Sequence, residues 1–170
     1  MITTKERPLT ISRVRLPDLG RRGEGWVVLQ LLLFVAVIST GFPGPLWTGP
    51  ARVVGAIGGL ALIPFGVCLV TAGILGLRRQ LTAYPRPVPG GRLIEDGVFG
   101  LVRHPMYGGL VIAAAGWGLA MASPLALAGA LVLGVFFDLK SRREEAWLDE
   151  QFAGYAAYRR RARRLIPRLY

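Results

Sequence analysis

The chain has 170 residues, 52% of them hydrophobic, and a mean hydropathy of +0.45; only 18% are charged, against roughly 25% in soluble domains. A net charge of +11 combined with several long uncharged runs argues against a basic nucleic-acid-binding domain, so no nucleic-acid partner is expected, and favours a membrane protein with its cations at the water boundary. The single Cys68 excludes an internal disulfide framework and a cysteine-rich metal site, and no metal is expected.

A membrane-spanning helix needs about 20 mostly apolar residues. Residues 1–25 are polar and basic, and their acids and prolines do not suit a simple secretory signal. The first apolar run, Trp26 to Phe42, has no charge, and Gln30 and Ser39 are its most polar members. The second, Val53 to Leu77, has no ionisable side chain except Cys68. It contains Pro64, which membrane helices tolerate, and several glycines suited to close helix contact. The third runs from Met106 to Ala122. Ser123-Pro124 then reads as a tight turn into another helix. The fourth run, Leu125 to Phe137, spans only if its helix continues through Asp138 and Lys140 toward Leu148.

The predicted fold is therefore an all-α integral membrane protein with about four transmembrane helices in a single domain, 1–170. Residues 26–77 carry the first two helices. Residues 78–170 form a core with the last two and a basic C-terminal segment. Four spans place twenty of the 21 Lys and Arg on one face, leaving Arg52 on the other. By the positive-inside rule both termini, the middle connection and any site built there face the cytoplasm. Membrane lipids are the expected surroundings.

Two cytoplasmic segments carry the candidate chemistry. The first is rich in Pro and Gly from Tyr84 to Gly91, then continues through Arg92 to His104-Pro105-Met106-Tyr107-Gly108-Gly109. His104 is the only histidine. The following proline biases it out of the α region and suits the first turn of the third helix. It thus lies beside unpaired amide N–H groups and the positive end of a helix dipole. Tyr107 falls on a similar face. From residue chemistry alone this is equally a capped helix start, with Arg103 a snorkelling anchor. In the second segment Lys140 and Glu144 share one helix face at i, i+4. A carboxylate there can accept two ribose hydroxyls, while an ordinary solvated helix explains the same residues. The Arg159 to Arg164 cluster equally suits anionic lipid heads.

Taken together, Gly97-x-Phe99-x-x-x-Arg103-His104-Pro105-x-Tyr107-x-Gly109, the Glu144-Glu145-x-x-Leu148 pair and Phe152-x-x-Tyr155-x-x-Tyr158 through Pro167 resemble the isoprenylcysteine carboxyl methyltransferase family. Its members are integral membrane enzymes related to the phospholipid methyltransferases and use S-adenosyl-L-methionine. The resemblance covers about residues 78–170. It implies that His104, Pro105, Met106 and Tyr107 line a cofactor pocket, that Gly91, Arg92, Leu93 and Ile94 fold over the nucleoside with Phe99 beside it, and that Glu144 holds a polar group of the cofactor. Phe99 stands where the family often has Tyr. Lys140 and Arg164 are the implied catalytic pair. Lys140 falls where isoprenylcysteine enzymes can carry an Arg facing the substrate carboxylate, and supplies charge without the bidentate fork. The implied activity is carboxyl O-methylation of a lipophilic small-molecule or prenylated acceptor. The alternatives are N-methylation of a phospholipid head group and a non-catalytic lipid-binding scaffold.

Overall fold

The computed structural model describes residues 16–42 and 46–166. Most of the basic N-terminal segment and Pro167 lie outside the described residues. Five α-helices follow in order: α1 (Glu24–Ser39), α2 (Gly49–Leu77), α3 (Pro105–Ala120), α4 (Pro124–Gln151) and α5 (Tyr155–Arg161). There is no strand among the described residues.

The helix boundaries follow from local chemistry. Pro124 occupies the first turn of α4, where its missing N–H has no helical partner to lose, and the Ser123 hydroxyl accepts from the Ala126 N–H at 3.1 Å. The same hydroxyl donates to the Thr40 carbonyl at 2.7 Å. Pro105 likewise opens α3 directly after His104. The fourth apolar run does continue past Asp138 and Lys140, as far as Gln151. The first run stops helical geometry at Ser39, earlier than Phe42. Pro64 lies inside α2.

Neighbouring helices run antiparallel. Going up α2, Gly55 faces Leu119, Gly66 faces Gly109 and Gly73 faces Met106, so the register on α3 runs backwards. At Gly66 and Gly109 the two backbones meet so closely that a Cβ on either would strike the other's carbonyl. Only glycine permits that approach. The Ser123-Pro124 turn reverses the chain into α4. On the other side of α4, α1 packs Trp26 at 5.7 Å from Phe136 and Phe34 at 6.2 Å from Phe137. The helices therefore stand in the spatial order α2, α3, α4, α1. The N-terminal ends of α1 and α3 and the C-terminal ends of α2 and α4 share one end of the bundle.

Two helices, α2 with its following turn and α4, are long and apolar enough to cross a membrane; α1 and α3 are apolar but shorter. Large apolar side chains point outward on three helices, among them Leu32, Leu60 at 68% exposed and Leu131 at 71% exposed. Apolar faces directed outward on several sides of a bundle suit a lipid surround. The protein associates with membranes.

Candidate active site

The charged end of the bundle is organised by the start of α3. The Arg103 and His104 N–H groups donate to the carbonyls of Arg163 and Arg164 at 2.7 and 2.9 Å, and the Arg163 N–H donates to the Leu101 carbonyl at 3.1 Å. This short parallel pairing lays the chain after α5 across the first turn of α3. Gly108 allows the crossing, because any side chain there would collide with the Leu165 carbonyl.

From this turn an aromatic stack runs into the bundle. The His104 ring lies parallel to Tyr107 at 5.4 Å, and Tyr107 lies against Phe137 at 4.7 Å. Helix α4 supplies the polar groups around the stack. The Tyr107 hydroxyl donates to Glu144 Oε2 at 2.8 Å, and His104 Nδ1 stands 3.7 Å from the same oxygen. His104 and Glu144 thus stand side by side, as two antiparallel helices of about equal length from a tight turn require. One turn deeper, Lys140 is 2% exposed; its Nζ donates to Gln30 Oε1 of α1 at 2.6 Å and sits 5.0 Å from the Tyr107 ring centroid.

A second cluster lies behind the first, around Glu145. Its carboxylate accepts from Arg103 Nε at 2.9 Å, pairs with His104 Nε2 at 3.3 Å, and accepts from Arg164 Nε at 3.3 Å. Arg103 also donates to the carbonyls of Arg159 and Ala162. Its guanidinium is turned inward and buried, so the snorkelling reading of Arg103 is corrected: the carbonyls at the C-terminal end of α5 and the buried carboxylate of Glu145 draw it into the protein. Adjacent residues on one helix point about 100° apart, so Glu144 serves one cluster and Glu145 the other.

Of these groups Gln30, Arg103, His104, Tyr107, Lys140 and Glu144 line a cavity of about 250 Å³, with Glu145 and Phe137 behind its wall. Gly91, Arg92, Leu93 and Ile94 cover it from the connection after α2, where the Arg92 N–H donates to Gln80 Oε1 at 2.5 Å. Phe99, His104, Pro105, Met106, Tyr107, Lys140 and Glu144 complete the set expected from the sequence. Arg164 does not line the cavity. It bridges Glu145 and Asp138, with Nη1 2.9 Å from Asp138 Oδ1. It therefore braces the wall, and a role in contact with reacting atoms does not fit that position.

Among the other lining residues, Tyr155 and Tyr158 belong to the C-terminal motif without an assigned role there, and Gln30 belongs to no motif. Gln30 reaches the cavity from α1, and Tyr155 and Tyr158 reach it from α5. Gln30 did leave a signal, as a lone amide in an uncharged run. Both tyrosines are buried, and burial pushes their phenols well above the ordinary range, so each remains a hydrogen-bond donor. Tyr158 donates to the Phe99 carbonyl at 2.8 Å, while the Tyr155 hydroxyl has no partner among the described residues.

A family model, phospholipid methyltransferase, matches residues 54–154, which hold most of α2, all of α3 and α4 and most of the cavity wall. The chain belongs to the phospholipid methyltransferase family. That family is related to the isoprenylcysteine carboxyl methyltransferases that the motifs resemble. Membership makes the protein a membrane methyltransferase. No curated protein matches the chain closely enough to serve as a relative.

Proposed function

We propose that the protein transfers the methyl group of S-adenosylmethionine to a carboxylate oxygen of a lipophilic, isoprenylcysteine-like acceptor. The observation that carries this reading is Lys140, a buried ammonium on the cavity wall that makes no ion pair among the described residues. The Glu144 carboxylate acts on this charge from one turn along α4 without pairing with it directly, so an anion that joins the buried ammonium still offsets part of the cost of burying it.

The wall also suits the methyl donor. Flat rings at His104 and Tyr107 offer stacking surfaces to an adenine, the backbone at residues 91–94 offers polar contacts, and the Glu144 carboxylate can accept from ribose hydroxyls. The Tyr155 phenol, protonated and without a partner, is a further donor for a bound ligand. Bound S-adenosylmethionine supplies a methyl group on a sulfonium, so the new O–CH3 bond forms as the C–S bond breaks, its electron pair leaves on sulfur, and no proton has to be moved. The protein therefore needs no general base for a carboxylate acceptor. Its residues hold two ligands in line and keep water out, which is where the rate enhancement arises. Lys140 seats the acceptor, and its grip must stay moderate because excess stabilisation of the carboxylate slows its attack.

We further infer that all four long helices cross the bilayer, with both termini and the cavity mouth on the cytoplasmic face. The 20-to-1 partition of basic residues supports this. Helices α1 and α3, at 16 residues each, rise only about 24 Å and reach across with their flanking residues. In a Cys68→Ser background, Thr48→Cys should label only from outside and Glu150→Cys only from the cytoplasm; the reverse would refute the orientation. For the chemistry, membranes given radiolabelled methyl donor should yield lipid-extractable label that base releases as methanol. Label that survives base treatment as N-methyl lipid would overturn carboxyl methylation.

A further inference from the structure

The family match begins at residue 54, yet the cavity has a wall residue that comes from before it. Gln30 lies on α1, inside the first apolar run, and reaches across to Lys140, 110 positions later. The chemistry fixes how this amide sits. An ammonium can only donate, so the oxygen of Gln30 must face Lys140, and its NH2 group is directed elsewhere as a donor. Lys140 donates one N–H to that oxygen and stands over the rings of Tyr107 and Phe137, 5.0 and 5.9 Å from their centroids, with Glu144 acting on it electrostatically from one turn away and no ion pair among the described residues. An ammonium and an amide NH2 joined side by side present two donors and one positive charge. That is the pattern that two oxygens of a carboxylate require, and Lys alone does not supply it.

Depth separates this pair from the groups suited to the methyl donor. Lys140 is one helical turn, about 6 Å, further into the bundle than Glu144. Gln30 sits level with it among apolar residues of α1. A water-soluble ligand entering from the charged end meets Glu144 first, whereas a lipid-borne acid meets Gln30 and Lys140.

We propose that Gln30 and Lys140 together form the acceptor-selecting subsite, in which the Lys140 ammonium and the Gln30 amide each hold one oxygen of the acceptor carboxylate. The proposal rests on the carboxyl-methylation reading above and adds to it a specificity residue from outside the family-matched region. Selectivity among acceptors is then set where α1 meets α4, at Gln30 and Lys140, while residues 91–94, the start of α3 and Glu144 hold the donor.

The test uses the full chain in detergent with S-farnesyl-N-acetylcysteine, its carboxamide analogue, and S-adenosylhomocysteine as the donor-site probe. Gln30→Leu keeps the size of the side chain in an apolar helix. It should raise the acceptor KM about tenfold or more, as loss of a hydrogen bond to a charged group does, with S-adenosylhomocysteine affinity and kcat within about twofold of the parent. Gln30→Glu places a carboxylate on Lys140 and should weaken the acid acceptor further still. The carboxamide should bind parent and Gln30→Leu with similar weakness. An unchanged acceptor KM in Gln30→Leu overturns the subsite. So does a loss of S-adenosylhomocysteine affinity as large as the loss for the acceptor, because the pair then holds the donor's own carboxylate. Calorimetry on the parent separates the two layers of the argument. Binding of the acid without methyl transfer would refute carboxyl methylation and leave the subsite standing, whereas no binding of the acid would refute the subsite.

Discussion

The two ends of the helical bundle handle polar groups in opposite ways. At the end near the Ser123-Pro124 turn, side chains are matched to backbone. Ser123 links the Thr40 carbonyl and the Ala126 N–H, the Thr40 hydroxyl donates to the Ala36 carbonyl at 2.9 Å, and Arg52 donates to the Ala120 carbonyl. Among the described residues, Trp117 Nε1 is the one buried side-chain atom left without a partner there. At the other end charged side chains meet one another across three elements, and among the described residues the Lys140 ammonium makes no direct ion pair and the Tyr155 hydroxyl has no acceptor. One end is finished as it stands. The other keeps donors in reserve, and a buried donor in reserve costs stability unless a ligand takes it up. The contrast teaches where to look for function in a bundle whose helices are otherwise uniformly apolar.

Removing a member of the Glu145 cluster should break the charged end altogether. Arg103→Ala leaves a buried carboxylate short of its closest cation and frees the carbonyls at the C-terminal end of α5, a loss of about 3–5 kcal/mol. Thermal unfolding in detergent should fall steeply, with S-adenosylhomocysteine binding lost; a small shift would show that Arg103 is not buried in the membrane-embedded protein. Glu144→Gln is expected to act on binding instead. It keeps the shape and removes the charge, so calorimetry should record about 1.5–3 kcal/mol less affinity for S-adenosylhomocysteine, with much less change in unfolding temperature. His104→Ala should likewise weaken binding while membrane insertion stays normal. If both variants bind like the parent, the donor site lies elsewhere.

The tyrosine pair sharpens the comparison within one short helix. Tyr158→Phe removes a satisfied bond to the Phe99 carbonyl and should cost about 1 kcal/mol of stability. Tyr155→Phe removes a hydroxyl that has no partner, so the ligand-free protein should unfold at the same temperature or higher while ligand affinity drops. Equal losses of stability in both variants would mean that Tyr155 is bonded after all. The smallest effect belongs to the finished end: Ser123→Ala should cost about 1 kcal/mol through the lost cap and leave S-adenosylhomocysteine binding untouched.

Local signals made the helical frame legible in the sequence. Uncharged runs, the prolines at 105 and 124 and the Ser123 cap each act within one helical turn, so their meaning does not depend on distant residues. The approach of His104 to Glu144 was legible too, because one tight turn and equal path lengths decide it. Other features were not, for a shared reason. That Glu144 rather than Glu145 faces the cavity is given by the family resemblance alone, because residue spacing does not decide it: it depends on what packs on each side of α4, including a segment nearly twenty residues further on. Arg103 looks like a boundary anchor until the carbonyls of Arg159 and Ala162 are brought to it. Arg164 sits in the same motif as the lining residues, yet its side chain is taken by Asp138 and Glu145. Gln30 stood out only as an oddity of composition. Its partner is on the last long helix, and no period or spacing connects the two.

The strand-like crossing of the chain over the start of α3 has a consequence for how the protein is made. The guanidinium of Arg103 is satisfied by carbonyls 56 and 59 positions later, and the Arg103 and His104 N–H groups wait for residues 163 and 164. During synthesis the four long helices are complete before those residues exist. The wall of the cavity at this end therefore cannot close before residues 159–164 have been made, even though Arg103 and Glu145 can already meet.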